Sequence, residues 1–250
     1  MDPNTARLIA AAASCGPGER VLEIGAGLGS LTVALAAAGA SVLAVEFDRG
    51  LVPALSEVVS DLDSVEVLAE DAMSVAWPDV LTGGPWKMVS NLPYNIATPL
   101  VLDMLEADLP IDLYLVMVQR EVGERLAAVP GDEGYGAVSV KTAYLSEASL
   151  VRRVPPTVFW PRPKVESVLV RLIPRSAPPV DASREVLFRV VEEGFAQRRK
   201  TMANALRRMG LSVAGATAAL ERCGLASSVR AEELSLEDFA RLSAEVSAGA

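Results

Sequence analysis

The 250-residue sequence contains no histidine. This absence excludes a Ser-His-Asp triad, a Cys-His nucleophile pair and any metal site built on imidazole ligands. Acid–base chemistry would therefore fall to carboxylates, tyrosine, lysine or the backbone. The composition thus favours a reaction that needs little proton transfer.

Cysteine and long apolar runs are also scarce. The two cysteines, Cys15 and Cys223, lack metal-ligand spacing, so we interpret them as buried or partly buried thiols in a reducing cytoplasm. No apolar stretch is long and uncharged enough to span a bilayer, and no basic region followed by an apolar one opens the sequence. We therefore expect a cytoplasmic protein that uses neither a membrane nor a metal.

The net charge of −9 argues against indiscriminate binding to nucleic acid. The acidic excess lies in residues 1–175, whereas residues 176–250 are balanced. No acidic residue occurs from 196 to 210, and this window holds a basic cluster made of Arg198, Arg199, Lys200, Arg207 and Arg208. Because charge runs are usually solvated faces, the cluster alone leaves a solvated face and an RNA-binding surface both open.

Short β-like runs alternate with helical stretches over the first 118 residues. This alternation predicts right-handed crossovers and a mainly parallel sheet covered on both faces. The predicted strands are 20–24, 41–46, 65–69, 87–90 and 113–118, with 165–173 as a candidate for the sheet edge. The predicted intervening helices are 30–38, 51–60, 98–106 and 120–128.

A proline-rich segment at 174–179 is the best linker candidate. Beyond it the pattern is helical throughout, with predicted helices at 184–193, 199–208, 214–222 and 236–247. We therefore predict an α/β domain over residues 1–175 and a small helical domain over residues 176–250.

Three glycines, Gly25, Gly27 and Gly29, follow the first predicted strand. In a doubly wound sheet, ligands bind beyond the carboxyl ends of the strands, and glycines there allow tight turning and close backbone approach. The dinucleotide fingerprint requires G-x-G-x-x-G, but Ser30 stands where its third glycine would be. The spacing therefore disfavours NAD and leaves another nucleoside-bearing cofactor, such as S-adenosylmethionine, as the candidate.

Acidic residues lie at or just after the ends of the first three predicted strands. Glu46 ends the second strand, where a carboxylate can accept hydrogen bonds from both ribose hydroxyls. Asp71, beside Ala72, can accept a hydrogen bond from an adenine amine while Met73 packs on the ring, and a turn or capping role for Asp71 is the alternative. Glu23 has two candidate roles, which are to hold the glycine loop through backbone N–H groups or to contact the cofactor.

The tetrapeptide Asn91-Leu92-Pro93-Tyr94 follows the fourth predicted strand. The amine of adenine is a poor nucleophile because its lone pair is delocalised into the ring. The Asn91 side-chain oxygen and a backbone carbonyl of Leu92-Pro93 would accept hydrogen bonds from this amine and favour a pyramidal nitrogen. Pro93 makes the loop rigid, and Tyr94 can stack on the base. A purely structural turn is the alternative interpretation.

The segment 91–100 is similar to the signature of the KsgA-type ribosomal RNA adenine dimethyltransferases. Four further ordered segments resemble the same family, so the resemblance extends over nearly the whole chain. These segments are 117–122, 135–140, 154–165 and 195–201. Agreement of five ordered segments is more specific than any one motif.

The resemblance implies a Rossmann-like methyltransferase domain, with a mostly parallel seven-stranded sheet and helices on both faces, followed by a small C-terminal all-helical domain. It implies S-adenosylmethionine contacts at Gly25, Glu46, Asp71 and Asn91. We add Glu23, Gly27 and Ala72 as neighbouring cofactor candidates. It also implies that Phe159 and Tyr94 sandwich the target adenine, with core packing as the alternative role of Phe159.

The resemblance further implies a partner, small-subunit ribosomal RNA within a pre-ribosomal particle, on which the helical domain docks through the segment 197–200. The family places two methyls on each of two adjacent adenines near the 3′ end of that RNA. We expect a monomer. Family members usually carry an N-terminal segment that covers the cofactor, and this sequence starts just beyond the position of that segment. If the segment is truly absent, we expect weaker cofactor enclosure; a misassigned start is the alternative explanation.

Three alternatives stay open from the sequence. The first is the related large-subunit methyltransferase of the macrolide-resistance type, which the segment 161–165 disfavours. The second is a non-catalytic ribosome-assembly factor on the same fold, which the intact Asn91, Asp71 and Glu46 disfavour. The third is an NAD-dependent oxidoreductase, which would lack a catalytic acid such as histidine at the hydride site.

Overall fold

The structure is a computed structural model that describes residues 1–197 and 199–248. The chain divides into two compact units. The first unit comprises Met1–Gly123 and Glu147–Pro174, and the second comprises Glu124–Ser146 and Arg175–Ala250. The predicted boundary after residue 175 lies beside this division. Residues 124–146, however, group with the C-terminal helices, because Tyr135, Val140 and Tyr144 are buried in the core of the second unit.

A seven-stranded sheet forms the centre of the first unit. Its strands are β1 (Arg20–Ile24), β2 (Ser41–Val45), β3 (Val65–Leu68), β4 (Trp86–Asn91), β5 (Ile111–Gln119), β6 (Ser146–Val154) and β7 (Ser167–Pro174). The spatial order is β3-β2-β1-β4-β5-β7-β6. The first five strands pair in parallel, and β7 runs antiparallel to β5. The predicted mostly parallel, seven-stranded, Rossmann-like sheet is thereby confirmed.

The helices before and between these strands are α1 (Pro3–Ala12), α2 (Ser30–Ala37), α3 (Val52–Val58), α4 (Trp77–Val80), α5 (Ala97–Glu106) and α6 (Arg120–Leu126). The order in which strands are added reverses between β1 and β4, since the chain winds outward to β3 and then returns to the other side of β1. Such a switch point opens a crevice at the carboxyl ends of the two central strands.

The sequences of the central strands are nearly continuous apolar runs because both faces of the sheet are covered. Met88, Val89 and the β5 segment 115–118 are fully buried. Gly123, in the middle of α6, shows how close the packing is: a Cβ added there would lie 2.2 Å from Cγ1 of Val168. The sheet is therefore a rigid platform for the loops at its carboxyl edge.

The second unit contains the helices α7 (Ala137–Leu145), α8 (Arg184–Phe195), α9 (Met202–Arg208), α10 (Val213–Arg222) and α11 (Leu236–Ala248). Its core includes Phe239, and the hydroxyl of Tyr135 donates to the Leu234 carbonyl at 2.7 Å. The side chain of Ser212 caps α10 by accepting a hydrogen bond from the Gly215 amide. The predicted C-terminal helical region is confirmed.

Four elements were not predicted: α1, the short α4, α7 and β6. Strand β6 is a sheet edge with mostly exposed side chains, so it lacks the apolar run that identifies the central strands. Within the part of the chain that the structure describes, every helix is too short or too polar to cross a membrane.

Candidate active site

The loop after β1 turns through three glycines with left-handed backbone angles, φ 76° at Gly25, 59° at Gly27 and 78° at Gly29. Residues with a Cβ are strained in this region by roughly 1–2 kcal/mol each. Gly29 is the N-cap residue of α2, so the loop delivers the chain directly into that helix. The amide N–H groups at the start of α2 therefore lie beside the carboxyl end of β1, as a phosphate- or carboxylate-bearing ligand requires.

Gly25 also brings the glycine loop against the predicted acceptor loop. A Cβ added to Gly25 would lie 3.0 Å from Cδ of Pro93 and 3.5 Å from the Asn91 carbonyl oxygen. The two loops follow β1 and β4, which are adjacent strands. The buried Ser90 hydroxyl accepts the Ile24 amide at 2.9 Å and fixes these strand ends together. Two motifs that are distant in sequence therefore form one continuous surface.

Glu46 lies directly after β2 and holds the glycine loop. Its Oε2 accepts the Gly27 amide at 2.7 Å, and its Oε1 accepts the Asp48 amide at 2.8 Å. An ionised carboxylate offers about four acceptor positions, of which the backbone uses two. The remaining positions fit the ribose hydroxyls of a nucleoside-bearing cofactor.

Glu23 does not hold the glycine loop, which corrects one of the two roles proposed for it. Its carboxyl group is buried at the end of β1 and accepts a hydrogen bond from the Thr32 hydroxyl of α2 at 2.6 Å. Burial raises the pKa of Glu23 to about 8; the Thr32 hydrogen bond opposes this shift, and the nearby charge of Glu46 adds to it. Burial therefore favours the protonated form of Glu23, and its hydrogen bond with Thr32 connects β1 to α2.

Asp71 and Ala72 follow β3 at the same edge of the sheet. Oδ1 of Asp71 accepts the Met73 amide at 3.0 Å, so Asp71 shapes a turn, as its alternative interpretation proposed. No described residue donates a hydrogen bond to its other carboxylate oxygen. Ala72 is buried, and its carbonyl accepts the indole N–H of Trp77 at 3.1 Å. The Asp71 turn is thus fixed on one side while Asp71 keeps an acceptor for a ligand amine.

A pocket of about 320 Å³ lies beside the glycine loop. It is lined by Gly25, Asn91, Leu92, Pro93, Tyr94, Phe159, Pro161 and Pro163. This volume is at the lower end of the range for small-molecule sites, roughly 300–1,000 Å³, and suits a planar base. The structure therefore brings together all five residues that we predicted to form the acceptor site.

The acceptor loop is shaped by its backbone hydrogen bonds. Asn91 ends β4, the Leu92 amide donates to the Met117 carbonyl at 3.0 Å, and the Leu92 side chain is buried. The Pro93 carbonyl accepts the Ile96 amide at 3.2 Å. Of the two backbone carbonyls proposed to bind the amine, the Pro93 carbonyl is thus occupied within the turn, and the Leu92 carbonyl is the better candidate.

Two aromatic side chains line the pocket. The Tyr94 hydroxyl lies 3.2 Å from the hydroxyl of Ser167, the first residue of β7. Phe159 follows a short 3₁₀ turn at Pro156–Val158, and its amide donates to the Pro156 carbonyl at 3.3 Å. The Tyr94 side chain is therefore restrained through its hydroxyl, and Phe159 is restrained through its backbone amide.

The basic cluster lies in the second unit. Lys200, Arg207 and Arg208 line a pocket of about 520 Å³ at the N-terminus of α10. Arg208 pairs with Glu193 at 2.9 Å, whereas the Lys200 and Arg207 side chains are exposed. Arg199 is exposed outside this pocket, and Arg198 lies outside the described residues.

Sequence reasoning missed the residues that position the site, namely Thr32, Ser90 and Ser167, because single buried hydroxyls carry no pattern. It also missed two exposed apolar residues at the cofactor edge, Leu28 and Phe47. Both residues follow the end of a predicted strand, and this position could have identified them as candidate cofactor contacts. Across residues 1–197 and 199–248, no three cysteine or carboxylate side chains are grouped so that they could hold a metal ion.

Comparison with known protein families gives one consistent result. A family model described as "Ribosomal RNA adenine dimethylase" matches residues 1–248. The Ribosomal RNA small subunit methyltransferase A of Moorella thermoacetica is 42% identical over 253 residues, which cover 97% of this chain and 88% of that protein. The protein of the same name from Thermobifida fusca is 44% identical over 247 residues, which cover 97% and 85%.

Two solved structures extend over nearly the whole chain. The 23S rRNA methyltransferase ErmE is 28% identical with a TM-score of 0.75, and the match covers 99% of this chain and 98% of that one. A dimethyladenosine transferase from Plasmodium falciparum has a TM-score of 0.80 at 23% identity, with 96% and 94% covered, and this match supports the fold.

Proposed function

Because this chain belongs to the ribosomal RNA adenine dimethylase family, we propose that it transfers methyl groups from S-adenosylmethionine to adenine N6 amines of small-subunit ribosomal RNA. We propose that the targets are two adjacent adenines near the 3′ end of that RNA, and that each receives two methyls. The observation that carries the proposal is the contact between the glycine loop and the acceptor pocket at Gly25.

The residues at the switch point fit the cofactor. The free acceptor positions of Glu46 suit its ribose, and the unused oxygen of Asp71 suits its adenine amine. Met73 and Phe47 are exposed apolar residues after β3 and β2, and they can pack on the purine. The cofactor supplies an electrophilic methyl carbon on a sulfonium. The glycine loop would place the sulfonium beside the acceptor pocket.

The acceptor residues would activate the amine by accepting its hydrogen bonds. The Asn91 side-chain oxygen and the Leu92 carbonyl would orient both N–H groups, which turns the nitrogen lone pair out of conjugation. Tyr94 and Phe159 would clamp the ring, and stacking of this kind contributes about 1–3 kcal/mol per base. The target must leave its own stack to enter.

No strong base is required for this reaction. The amine becomes cationic once methylated, so it loses its proton readily to water. The sequence has no histidine, and Glu23 is buried and hydrogen-bonded to Thr32, away from this task. Positioning and electrostatic fit therefore supply the rate enhancement.

We also propose that the basic pocket of the second unit contacts RNA phosphates. Lys200 and Arg207 are exposed cations at the N-terminus of α10, which itself favours anions. Replacing both by glutamine should reduce the slope of log affinity against log salt by about 2, since each phosphate contact contributes nearly one unit. Arg189, exposed on α8, provides a matched control whose loss should leave the slope unchanged.

The direct test is methylation of unmodified ribosomal subunits with labelled donor, followed by mass mapping of the RNA. We expect label in two adjacent adenines near the 3′ end of the small-subunit RNA. Label in large-subunit RNA would instead support an activity like that of the 23S rRNA methyltransferase ErmE. Absence of donor binding in titration calorimetry would support a non-catalytic assembly factor. We propose that the protein acts as a cytoplasmic monomer on a pre-ribosomal small subunit.

A further inference from the structure

Trp160 is the most exposed large hydrophobic residue in the described part of the chain, with 93% of its surface accessible. Tryptophan is usually well buried because its indole offers about 150–250 Å² of largely apolar surface. The other two tryptophans follow this rule more closely, since Trp77 is buried and Trp86 is partly buried. Neither the established fold nor the proposed reaction uses the Trp160 side chain.

The backbone that carries Trp160 is restrained. The preceding 3₁₀ turn is closed by hydrogen bonds from the Val158 and Phe159 amides to Pro155 and Pro156. The Asp2 amide donates to the Val158 carbonyl at 2.7 Å and attaches this turn to the start of α1. Pro161 follows immediately and limits backbone rotation further. The indole is therefore presented to solvent from a fixed position.

This fixed position is the edge of the acceptor pocket. Both chain neighbours of Trp160, Phe159 and Pro161, line the pocket, and so does Pro163. The Cα of Trp160 lies about 3.8 Å from that of Phe159, so the indole begins within one residue of the pocket wall. A polymer whose base occupies the pocket would bring its next unit to this edge.

The surroundings of the indole suit an anionic polymer. Arg162 and Lys164 are exposed in the same segment. The neighbouring acid, Glu166, lies 3.6 Å from Arg120, which offsets its charge. An exposed aromatic ring with adjacent cations is the arrangement that single-stranded nucleic acid favours, because bases stack while phosphates pair with the cations.

We propose that Trp160 is a substrate-binding residue that stacks on the base next to the target adenine. The proposal rests on the function proposed above. When the target leaves its stack, its neighbour loses a stacking partner, and the indole replaces that partner at the pocket edge. Trp160 would thereby hold the flanking strand while Tyr94 and Phe159 hold the target. A protein partner or a second copy of this chain are the competing occupants.

The first test is binding of a short single-stranded RNA with two adjacent adenines, observed through tryptophan fluorescence without donor. We expect the RNA to quench the emission of the wild type and of the Trp86→Phe variant, and to quench Trp160→Phe far less. Equal quenching in the wild type and Trp160→Phe would overturn the proposal. This experiment does not depend on methyl transfer, so it decides the matter even if the proposed function fails.

The second test is the kinetics of methylation on unmodified small subunits. For Trp160→Ala we expect KM for the subunit to rise roughly 5- to 150-fold, the range that corresponds to loss of one stacked base. Trp160→Phe should recover most of this loss, and donor affinity by calorimetry should stay at the wild-type value. Val129→Ala, an exposed apolar change elsewhere, should leave KM unchanged.

The outcomes separate the two proposals. If the wild type methylates the subunits but Trp160→Ala keeps a wild-type KM, the stacking role is wrong and the function stands. If Trp160→Ala instead loses self-association or binding to a ribosomal protein at unchanged KM, the occupant is a protein and the proposal is overturned. If the wild type methylates neither subunit, the proposed function fails.

Discussion

The hydroxyl groups of Tyr94 and Ser167 lie 3.2 Å apart, although the residues are 73 positions apart in the chain. Ser167 is fully buried at the first position of β7, next to Gln119 of β5. The edge of the sheet thus supplies a fixed partner for a side chain in the acceptor loop. This contact restrains the side chain of Tyr94, which lines the pocket.

Ser167→Ala should therefore lower methylation without unfolding the protein. A hydrogen bond of this kind has a net value of about 0.5–1.5 kcal/mol, so kcat should fall roughly 2- to 10-fold. The measurement is single-turnover methylation of small subunits, beside a thermal melt and calorimetry with donor. Donor affinity should not change.

The partner variant Tyr94→Phe removes the same contact and keeps the ring. If the bond is the cause, the double variant should be no slower than the slower single variant. Additive losses would show that the two hydroxyls act separately.

The close approach at Gly25 gives a second prediction. Gly25→Ala adds a Cβ 3.0 Å from Pro93 Cδ and also strains a residue at φ 76°. We expect methyl transfer to fall about a hundredfold, because displacement of reacting groups by about 1 Å has effects of that size. Initial rates with labelled donor provide the measurement.

Gly18→Ala is the matched control for backbone strain. Gly18 has φ 86°, and an added Cβ would meet nothing within 4 Å. Both variants should lose similar stability, roughly 1–2 kcal/mol, but Gly18→Ala should keep its activity. Similar activities in the two variants would contradict the importance of the contact between the loops.

The parts of the site that could be predicted from the sequence are those that leave a repeated pattern of residues. The central strands were predicted because buried parallel strands form continuous apolar runs, and the loops that follow them were placed correctly as a result. The approach of Gly25 to Pro93 depends on the pairing of β1 with β4, and the strand order was not predicted from the sequence. The pairing of Tyr94 with Ser167 was not predicted either, because a single serine at the start of a strand has no periodicity.

Other misses have equally physical causes. Strand β6 is exposed along most of its length, so its sequence lacks the apolar pattern of a strand. Residues 124–146 were assigned to the sheet domain because the proline-rich segment at 174–179 was the best linker candidate in the sequence. The sequence around residue 124 has no comparable linker. Glu46, rather than Glu23, holds the glycine loop, and this follows from three-dimensional geometry alone.

The protonation of Glu23 yields a pH-dependent prediction. Its pKa is raised from 4.5 to about 8 by burial, and the carboxylate of Glu46 contributes to the shift while the Thr32 hydrogen bond opposes it. The folded state therefore holds a proton that the unfolded chain has lost between these pH values. The stabilisation from this group is complete below pH 4.5 and is lost as pH rises through about 8.

Glu23→Gln removes this titration and keeps an oxygen that accepts the Thr32 hydroxyl. The free energy of unfolding of the wild type, measured with urea at several pH values, should fall relative to that of Glu23→Gln as pH rises. Glu66→Gln, an exposed change on β3, should follow the wild type. Parallel curves for the wild type and Glu23→Gln would show that Glu23 is already ionised in the folded protein.

The central claim is that Asn91 accepts a hydrogen bond from the target amine, and one comparison tests it most directly. Unmodified small subunits are incubated with labelled donor and the wild type, Asn91→Ala or the exposed control Asn4→Ala. We predict that Asn91→Ala retains its melting temperature but transfers methyl groups about 10²–10³ times more slowly, while Asn4→Ala matches the wild type. Wild-type turnover by folded Asn91→Ala would contradict the account.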